Sequence, residues 1–303
     1  MSFACGGNAG RQAEAPPPAA SVEAPAAPLA ESTALIGSES GVPCGELDCR
    51  RFETAREAFR HVLESDPLVL GIGEAHALAD APSVPATARR FSDELLPELD
   101  GRASHLIVEL LQPNPSCETT TREVERIQKP VTSAQSPENQ NDYVELGHHA
   151  RRLGIEPFVL SPTCDELSAI AQAGADAIGQ TLATIADVTA RMVPAALMQN
   201  QRKGHERIVI AYGGALHNDE SPDAAHARWS YAPRLLRGTT GRYIALDLIV
   251  REFIKDTDVW RAQPWYEQFD RERDPDHAIS MRTGPRSYVL FFPRSKSAAA
   301  PPR

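Results

Sequence analysis

The sequence predicts an α/β domain with a central mixed, largely parallel sheet flanked by helices, and three observations lead to this prediction. Short apolar runs recur along the chain, for example at 68–72 and 207–212. Their residues are apolar on both faces, which is typical of strands buried in a parallel sheet. Segments with helical periodicity, such as 86–99, stand between these runs. Alternating strands and helices indicate a single layered α/β domain.

The individual elements follow from local signals. A first helix is expected after Thr54, which can cap it together with Glu57 three residues later. Further helices are predicted at 86–99, at 142–153 and, as two helices broken near Gly174 or Gly179, at 165–201. The polar segment at about 111–141 is expected to form a long surface excursion with one short helix around 122–127. The predicted strands are 68–72, 105–110, 156–160, 207–212, 242–249 and 287–292.

The ends of the chain have a different composition from its middle. Residues 13–30 are nearly all Ala and Pro, a composition that forms an extended linker rather than a core. We therefore expect residues 1–41 and 295–303 to be disordered and 42–294 to form the domain. Cys5 follows a small residue and precedes Gly-Gly, which resembles the end of a bacterial lipoprotein signal. This pattern predicts lipidation of Cys5 on an exported protein, periplasmic or at the cell surface; the alternative is a disordered tail with an incidental cysteine.

The charge and the apolar runs of the sequence indicate which partners are expected. The net charge of −10 disfavours nucleic-acid binding, because an acidic surface repels phosphate backbones. No run reaches the roughly 18–20 apolar residues of a membrane span, so membrane contact is expected through the lipid anchor alone.

The four cysteines other than Cys5 form an even set that suits two disulfides, with four unrelated buried thiols as the alternative. The simplest pairing joins Cys44 to Cys49 and Cys117 to Cys164.

Two segments share one pattern that points to chemistry. Gly73-Glu74-Ala75-His76 and Gly214-Ala215-Leu216-His217 each follow an apolar predicted strand. The chain's 19 glycines and 9 histidines would produce roughly 0.6 such Gly-x-x-His pairs by chance. Ligands of open α/β sheets bind beyond the carboxyl ends of the strands, where both histidines are expected.

Two carboxylates accompany these histidines. Glu74 lies within the first motif, and Glu109 lies near the end of the strand predicted at 105–110. Two carboxylates and two imidazoles could bind a divalent metal such as Mn, Co, Zn or Fe through oxygen and nitrogen atoms. Equally, a carboxylate could orient an imidazole that deprotonates water. The alternative for each residue is a structural role.

Three further residues are candidates for the same site. Arg89 or Arg90, in the helix after the first motif, could hold an anionic substrate group or steady a carboxylate, although helix arginines are usually solvated. Tyr212, at the end of a predicted strand, could bind haem iron, although a strand tyrosine more often belongs to the core. Small-molecule or peptide substrates fit these candidates, and the oligomeric state is not predicted.

The motif pattern resembles the superfamily of Tiki/TraB proteins, ChaN-like haem-uptake proteins and erythromycin esterases. The resemblance runs from about Leu68 to His217 and comprises the two Gly-x-x-His motifs, the strand-borne Glu109 and an arginine, Arg89 or Arg90. It implies an α/β fold with a mixed sheet and a chemistry that differs among members. Tiki-like members resemble metal-dependent proteases, erythromycin esterases open a lactone with the first histidine and nearby acids, and ChaN-like members bind haem.

The sequence thus favours a cell-envelope hydrolase that activates water against an ester or peptide-like bond. In this interpretation His76 is a general base or metal ligand, and Glu74 and Glu109 are orienting carboxylates or ligands. His217 is a second ligand or polarises the scissile carbonyl. The alternatives are a haem-binding lipoprotein without turnover, using His76, His217 or Tyr212, and a non-catalytic envelope protein.

Overall fold

The computed structural model describes residues 41–77, 84–133, 135–136 and 138–295. These residues belong to one compact unit. The linker, Cys5 and the C-terminal tail, for which the sequence predicts disorder and lipidation, lie outside the described residues.

A nine-stranded sheet forms the centre of the domain, in the order β1-β2-β8-β9-β7-β3-β6-β4-β5. Strands β9, β7, β3, β6, β4 and β5 pair in parallel, whereas β1, β2, β8 and β9 pair antiparallel. The predicted mixed, largely parallel sheet is therefore confirmed. The strands are β1 Val42–Gly45, β2 Cys49–Phe52, β3 Val69–Glu74, β4 Ala103–Leu111, β5 Glu156–Leu160, β6 Ile208–Gly214, β7 Tyr243–Ile249, β8 Ala278–Arg282 and β9 Ser287–Phe291.

Helices cover both faces of this sheet. The Thr54–Glu57 capping box is present at the start of α1, as the sequence predicts. The long alanine-rich region divides into two helices at Gly174, which has a positive φ of 57°. The helices are α1 Ala55–Leu63, α2 Thr87–Arg90, α3 Glu118–Thr132, α4 Glu138–Arg152, α5 Cys164–Gln172, α6 Ala177–Arg202, α7 Ala232–Gly238 and α8 Asp258–Arg261.

The structure corrects two predictions about the helices. The segment at 111–141 is largely helical, because α3 spans 15 residues where a short helix was expected. Its buried side chains are few, Thr121 and Val124, so its apolar signal is weak in the sequence. The helix predicted at 86–99 changes its winding: α2 continues as a π-helical turn at Phe91–Leu95 and a 3₁₀ turn at Leu96–Leu99.

Two apolar layers form the core, one on each face of the sheet. On the first face, the even-numbered residues of β3, such as Leu70 and Ile72, pack against α1, α2 and α4. On the second face, Val69 and its neighbours pack against α6 and α7. The segment Gly174–Arg202 is long and apolar enough to cross a membrane, but half of its apolar window is buried in the domain, as in a core helix.

Both predicted disulfides are present. Cys44–Cys49 closes the hairpin of β1 and β2, and Cys117–Cys164 joins the start of α3 to the start of α5. The second bond therefore fixes the segment at 111–141 to the rest of the domain. Strands β1, β2 and β8, which the sequence analysis missed, form the antiparallel side of the sheet, away from the two motifs.

Candidate functional site

Both Gly-x-x-His motifs lie at the carboxyl edge of the two central strands. β3 and β6 are parallel neighbours, and Glu74 at the end of β3 is in register with Gly214 at the end of β6. His217 lies in the 3₁₀ turn that directly follows β6. Since β4 pairs with β6 on its other side, Glu109 reaches the same edge. The structure therefore brings together Glu74, Glu109 and both histidines, as the sequence predicts.

Glu74 and His76 form a hydrogen-bonded pair. The Nδ1 atom of His76 lies 2.8 Å from Oε1 of Glu74, so Nδ1–H donates to the carboxylate and leaves Nε2 for other chemistry. Glu74 is 4% exposed, and two buried tyrosines hold it from behind. Tyr143 donates to Oε1 at 2.8 Å, and the hydroxyl of Tyr212 donates to Oε2. The carboxylate that orients His76 is thus fixed in a buried position, in which both of its oxygens accept hydrogen bonds.

This setting changes the protonation of His76. Burial opposes the charged imidazolium, but the hydrogen bond and negative charge of Glu74, aided by Glu109, outweigh it and raise the pKa of His76 to about 9. The side chain keeps 27% of its surface exposed. At neutral pH His76 is consequently an imidazolium. Its neutral form, which can accept a proton at Nε2, forms in mildly alkaline solution.

Glu109 and His217 form the second pair. Oε1 of Glu109 lies 3.4 Å from Nε2 of His217, and Oε2 accepts a hydrogen bond of 2.6 Å from the Gly214 amide. On its other side His217 contacts the Trp229 carbonyl, 2.6 Å from Nδ1. A carbonyl only accepts, so Nδ1 must carry a hydrogen. Nε2 can then donate to Glu109 only when the ring is an imidazolium.

The electrostatics agree with an ion pair. Burial lowers the pKa of His217, but Glu109 and the Trp229 carbonyl reverse this and leave it raised. Burial would raise the pKa of Glu109, yet the charges of His217 and His76 and the Gly214 amide hold it at about 2. Because His217 is only 1% exposed, it neutralises and positions Glu109 rather than facing the solvent.

Glycine is required where the two pairs meet. A Cβ atom on Gly213 would lie 2.3 Å from Oε2 of Glu109, so any side chain there would displace the carboxylate. A Cβ atom on Gly214 would lie 3.5 Å from Nε2 of His76 and 3.6 Å from Oε2 of Glu109. The Nε2 atom of His76 and Oε2 of Glu109 therefore both lie close to Gly214.

A metal ion finds few free donors in this arrangement. No group of three or more His, Cys, Asp or Glu side chains within residues 41–77, 84–133, 135–136 and 138–295 is arranged to hold one. Nδ1 of His76 faces Glu74, both nitrogens of His217 face protein acceptors, and Oε2 of Glu109 accepts from an amide. This donor set does not fit a metal centre. Metal content stays a prediction for elemental analysis.

The two predicted arginines have their partners outside the two carboxylate–imidazole pairs. Arg89 is exposed and bonds Asp93, and its Nη1 lies 3.9 Å from Asp142. Arg90 is 9% exposed; it donates to Glu94 and to the Pro293 carbonyl and stacks on the Phe292 ring. Neither arginine forms a hydrogen bond or ion pair with Glu74 or Glu109. The contacts of Arg90 with Phe292 and Pro293 instead connect α2 to the segment after β9.

Tyr212 is buried, and its hydroxyl is engaged by Glu74. Haem binding stays a prediction, and a titration of the protein with haem, followed by its absorption spectrum, tests it. The sequence analysis overlooked Tyr143, since a single tyrosine in a polar helical segment carries no distinctive pattern.

Sequence reasoning also missed a carboxylate on the neighbouring strand. Asp247 interrupts the apolar run of β7, and in a strand expected to be buried on both faces this interruption is a signal that could have been used. Its strand pairs with β3, and Asp247 is in register with Gly73 of the first motif.

Comparison with known proteins adds little to this geometry. No family model and no curated protein matches the chain. The chain is similar to the solved structure of a mutant of the erythromycin esterase EreC in its open conformation, at 10% sequence identity and a TM-score of 0.43. The alignment covers 80% of this chain and 94% of that one. No conclusion about function follows from a likeness of this extent.

Proposed function

We propose that the protein is a hydrolase that activates water for attack on an ester or a related carbonyl bond. The observation that carries the proposal is the Glu74–His76 pair, in which Nδ1 of His76 faces the carboxylate, while Nε2 lies close to Gly214, as does Oε2 of Glu109. A carboxylate that orients an imidazole, with a second carboxylate near the same strand ends, is an arrangement suited to general-base hydrolysis. The motif resemblance to erythromycin esterases and their relatives is consistent with this chemistry.

Each residue has a defined task in the proposed reaction. Neutral His76 takes a proton from water at Nε2, while Glu74 stabilises the imidazolium that forms by accepting from Nδ1–H. The water oxygen attacks the carbonyl carbon of the substrate and forms a tetrahedral intermediate. As this intermediate collapses, the bond between the carbonyl carbon and the leaving oxygen breaks, and the proton passes from Nε2 to that oxygen, so that an acid and an alcohol are released. Glu109 orients the water and, paired with His217, remains ionised throughout.

The cell-envelope location is part of the proposal and is supported by two features. The disulfides Cys44–Cys49 and Cys117–Cys164 suit an oxidising compartment outside the cytoplasm. The lipoprotein-like sequence around Cys5 would tether the domain to a membrane through an acylated cysteine and the Ala/Pro-rich linker.

The experiment is a hydrolysis screen in water enriched with ¹⁸O. Purified full-length chain is incubated with nitrophenyl esters of graded chain length, simple lactones and a mixed peptide library. We expect turnover of an ester or lactone with one ¹⁸O atom in the released acid, because water is the nucleophile. Absence of turnover across the whole panel, with the protein folded, would contradict the proposed function.

A further inference from the structure

Asp247 lies directly beside the first motif. The parallel register of β3 and β7 places Asp247 opposite Gly73, and a Cβ atom on Gly73 would lie only 2.3 Å from Oδ1 of Asp247. The same Cβ atom would lie 2.8 Å from the Cα atom of Ala215, the first residue of the turn that carries His217. Gly73 therefore provides the space in which Asp247 and the second motif meet.

Asn218 connects Asp247 to the second motif. Its Nδ2 atom donates to Oδ1 of Asp247 at 3.2 Å, and its Oδ1 atom accepts from the hydroxyl of Tyr243. Asn218 is 1% exposed, so both ends of its amide are held inside the protein. We call these two hydrogen bonds of Asn218, to Asp247 and from Tyr243, the clamp. Because Asn218 directly follows His217, the clamp fixes the chain immediately after the histidine.

Asp247 differs from the other carboxylates of the site. Glu74 and Glu109 each face an imidazole, whereas no basic side chain among the described residues forms an ion pair with Asp247. The groups around Asp247 are neutral or acidic: Asn218, Tyr231, Tyr243 and Asp219. Glu220, from the segment after the turn, acts on Tyr243. Asp247 is only partly exposed, and an ionised carboxylate without a neighbouring cation is unfavourable there.

We propose that Asp247 is a positioning residue for the second motif, and that it performs this task as a neutral carboxylic acid. A protonated carboxyl still accepts from Asn218, so the hydrogen bond is kept without an uncompensated charge. Ionisation strengthens the bond from Asn218, but it also places a negative charge near Asp219, and this repulsion loosens the turn at 215–218. The inference rests on the proposed function in one respect: it takes the second motif to be part of the active site.

The surroundings support a change of state near neutral pH. Burial raises the pKa of Asp247 to about 7, the Asn218 hydrogen bond opposes this shift and the charge of Asp219 adds to it. Below this pH the acid is neutral and the turn is held, and above it the carboxylate forms. An asparagine at this position has nearly the same shape and cannot ionise, which makes it a mimic of the neutral acid.

The test follows the backbone amide signals of Ala215, Leu216 and Asn218 by NMR from about pH 5 to about pH 9. In the wild type we expect these signals to move in one step near pH 7. In Asp247→Asn the step disappears and the signals stay at their acid positions. In Asp247→Ala, which removes the clamp, the signals are displaced at every pH and show no step.

Two results would overturn the inference. A step that persists in Asp247→Asn would belong to another group, and unmoved signals in Asp247→Ala would show that Asp247 does not position the turn. If Asp247→Ala does not fold, Tyr243→Phe replaces it, because it removes one donor of the clamp and should displace the same signals.

Hydrolysis measured in parallel separates this inference from the proposed function. With a positioned turn required for turnover, Asp247→Ala should lose about tenfold to a hundredfold in rate. If the wild type hydrolyses nothing but the amide signals behave as expected, the proposed function fails and the positioning role stands. If turnover depends on His76 and the amide signals do not respond to Asp247→Ala, the positioning role fails alone.

Discussion

Replacing Glu74 by glutamine should uncouple His76 from its carboxylate. Glutamine keeps an oxygen that can accept from Nδ1–H of His76, but it carries no charge. Glu74 lies 2.8 Å from the imidazole and supplies both the hydrogen bond and the nearest negative charge. Without that charge, burial dominates, and only Glu109 continues to favour the imidazolium.

The structure sets the expected size of this effect. In the wild type the pKa of His76 is raised from 6.5 to about 9. This difference corresponds to a coupling of about 3 kcal/mol between protonation and folding. In Glu74→Gln we expect the pKa of His76 to fall by about 2.5 or more, to its ordinary value or below.

The sign of the stability change follows from the raised pKa. The pair stabilises the folded state fully below about pH 6.5 and loses this contribution as the pH rises through about 9. The free energy of unfolding of Glu74→Gln should therefore fall short of the wild type most at acidic pH, and the pH-dependent part of the deficit should vanish above about pH 9.

The assay is a histidine NMR titration, with urea unfolding at several pH values. Asp223→Asn is the matched control, because Asp223 lies 2.9 Å from Nδ1 of His226 in an exposed pair. This variant should leave the titration of His76 unchanged. A pKa of His76 that stays near 9 in Glu74→Gln would refute the reasoning, because the shift would then have another origin.

Three further predictions address the site and the fold. The rate of hydrolysis should rise about tenfold per pH unit up to about pH 9, since only neutral His76 accepts a proton, and a rate that is flat over this range would argue against His76 as the base. Gly213→Ala should displace Glu109, abolish turnover and lower the free energy of unfolding by about 1–3 kcal/mol in urea titrations; full activity would show that the close contact is not needed. A disulfide stabilises the fold by closing a loop of the unfolded chain, and a longer loop gives a larger effect. Loss of Cys117–Cys164, whose cysteines are 47 residues apart in sequence, should lower the free energy of unfolding by about 4 kcal/mol in the same titrations, against about 2 kcal/mol for Cys44–Cys49, with a sequence separation of 5. Equal losses would contradict this argument.

The central strands could be predicted from the sequence because they are apolar on both faces. The segment Glu156–Leu160 is predicted with the bounds it has in the structure, and β3, β4 and β6 differ by a few residues at their ends. The strands β1 and β2 escaped detection, since they are four residues long and contain Pro43, Arg50 and Arg51. Strands this short bury too few side chains to produce an apolar run.

The site could be predicted where chemistry and strand ends coincide. Glu74, Glu109 and the two motif histidines converge because three parallel strands end at one edge. The contributions of Tyr143 and Asn218 depend on how α4 packs and on how the turn after β6 lies on β3, which local patterns do not encode. For the same reason the sequence suggested Arg89 or Arg90 for the site, whereas their partners lie elsewhere.

The rate of hydrolysis by His76→Ala, measured beside the wild type and Asp223→Asn on the best substrate of the screen, tests the central claim most directly. The loss of a positioned general base should lower the rate of His76→Ala by about a hundredfold or more, while Asp223→Asn retains the wild-type rate. A His76→Ala variant that is folded and hydrolyses the substrate at the wild-type rate would contradict the assignment of the Glu74–His76 pair as the catalytic centre.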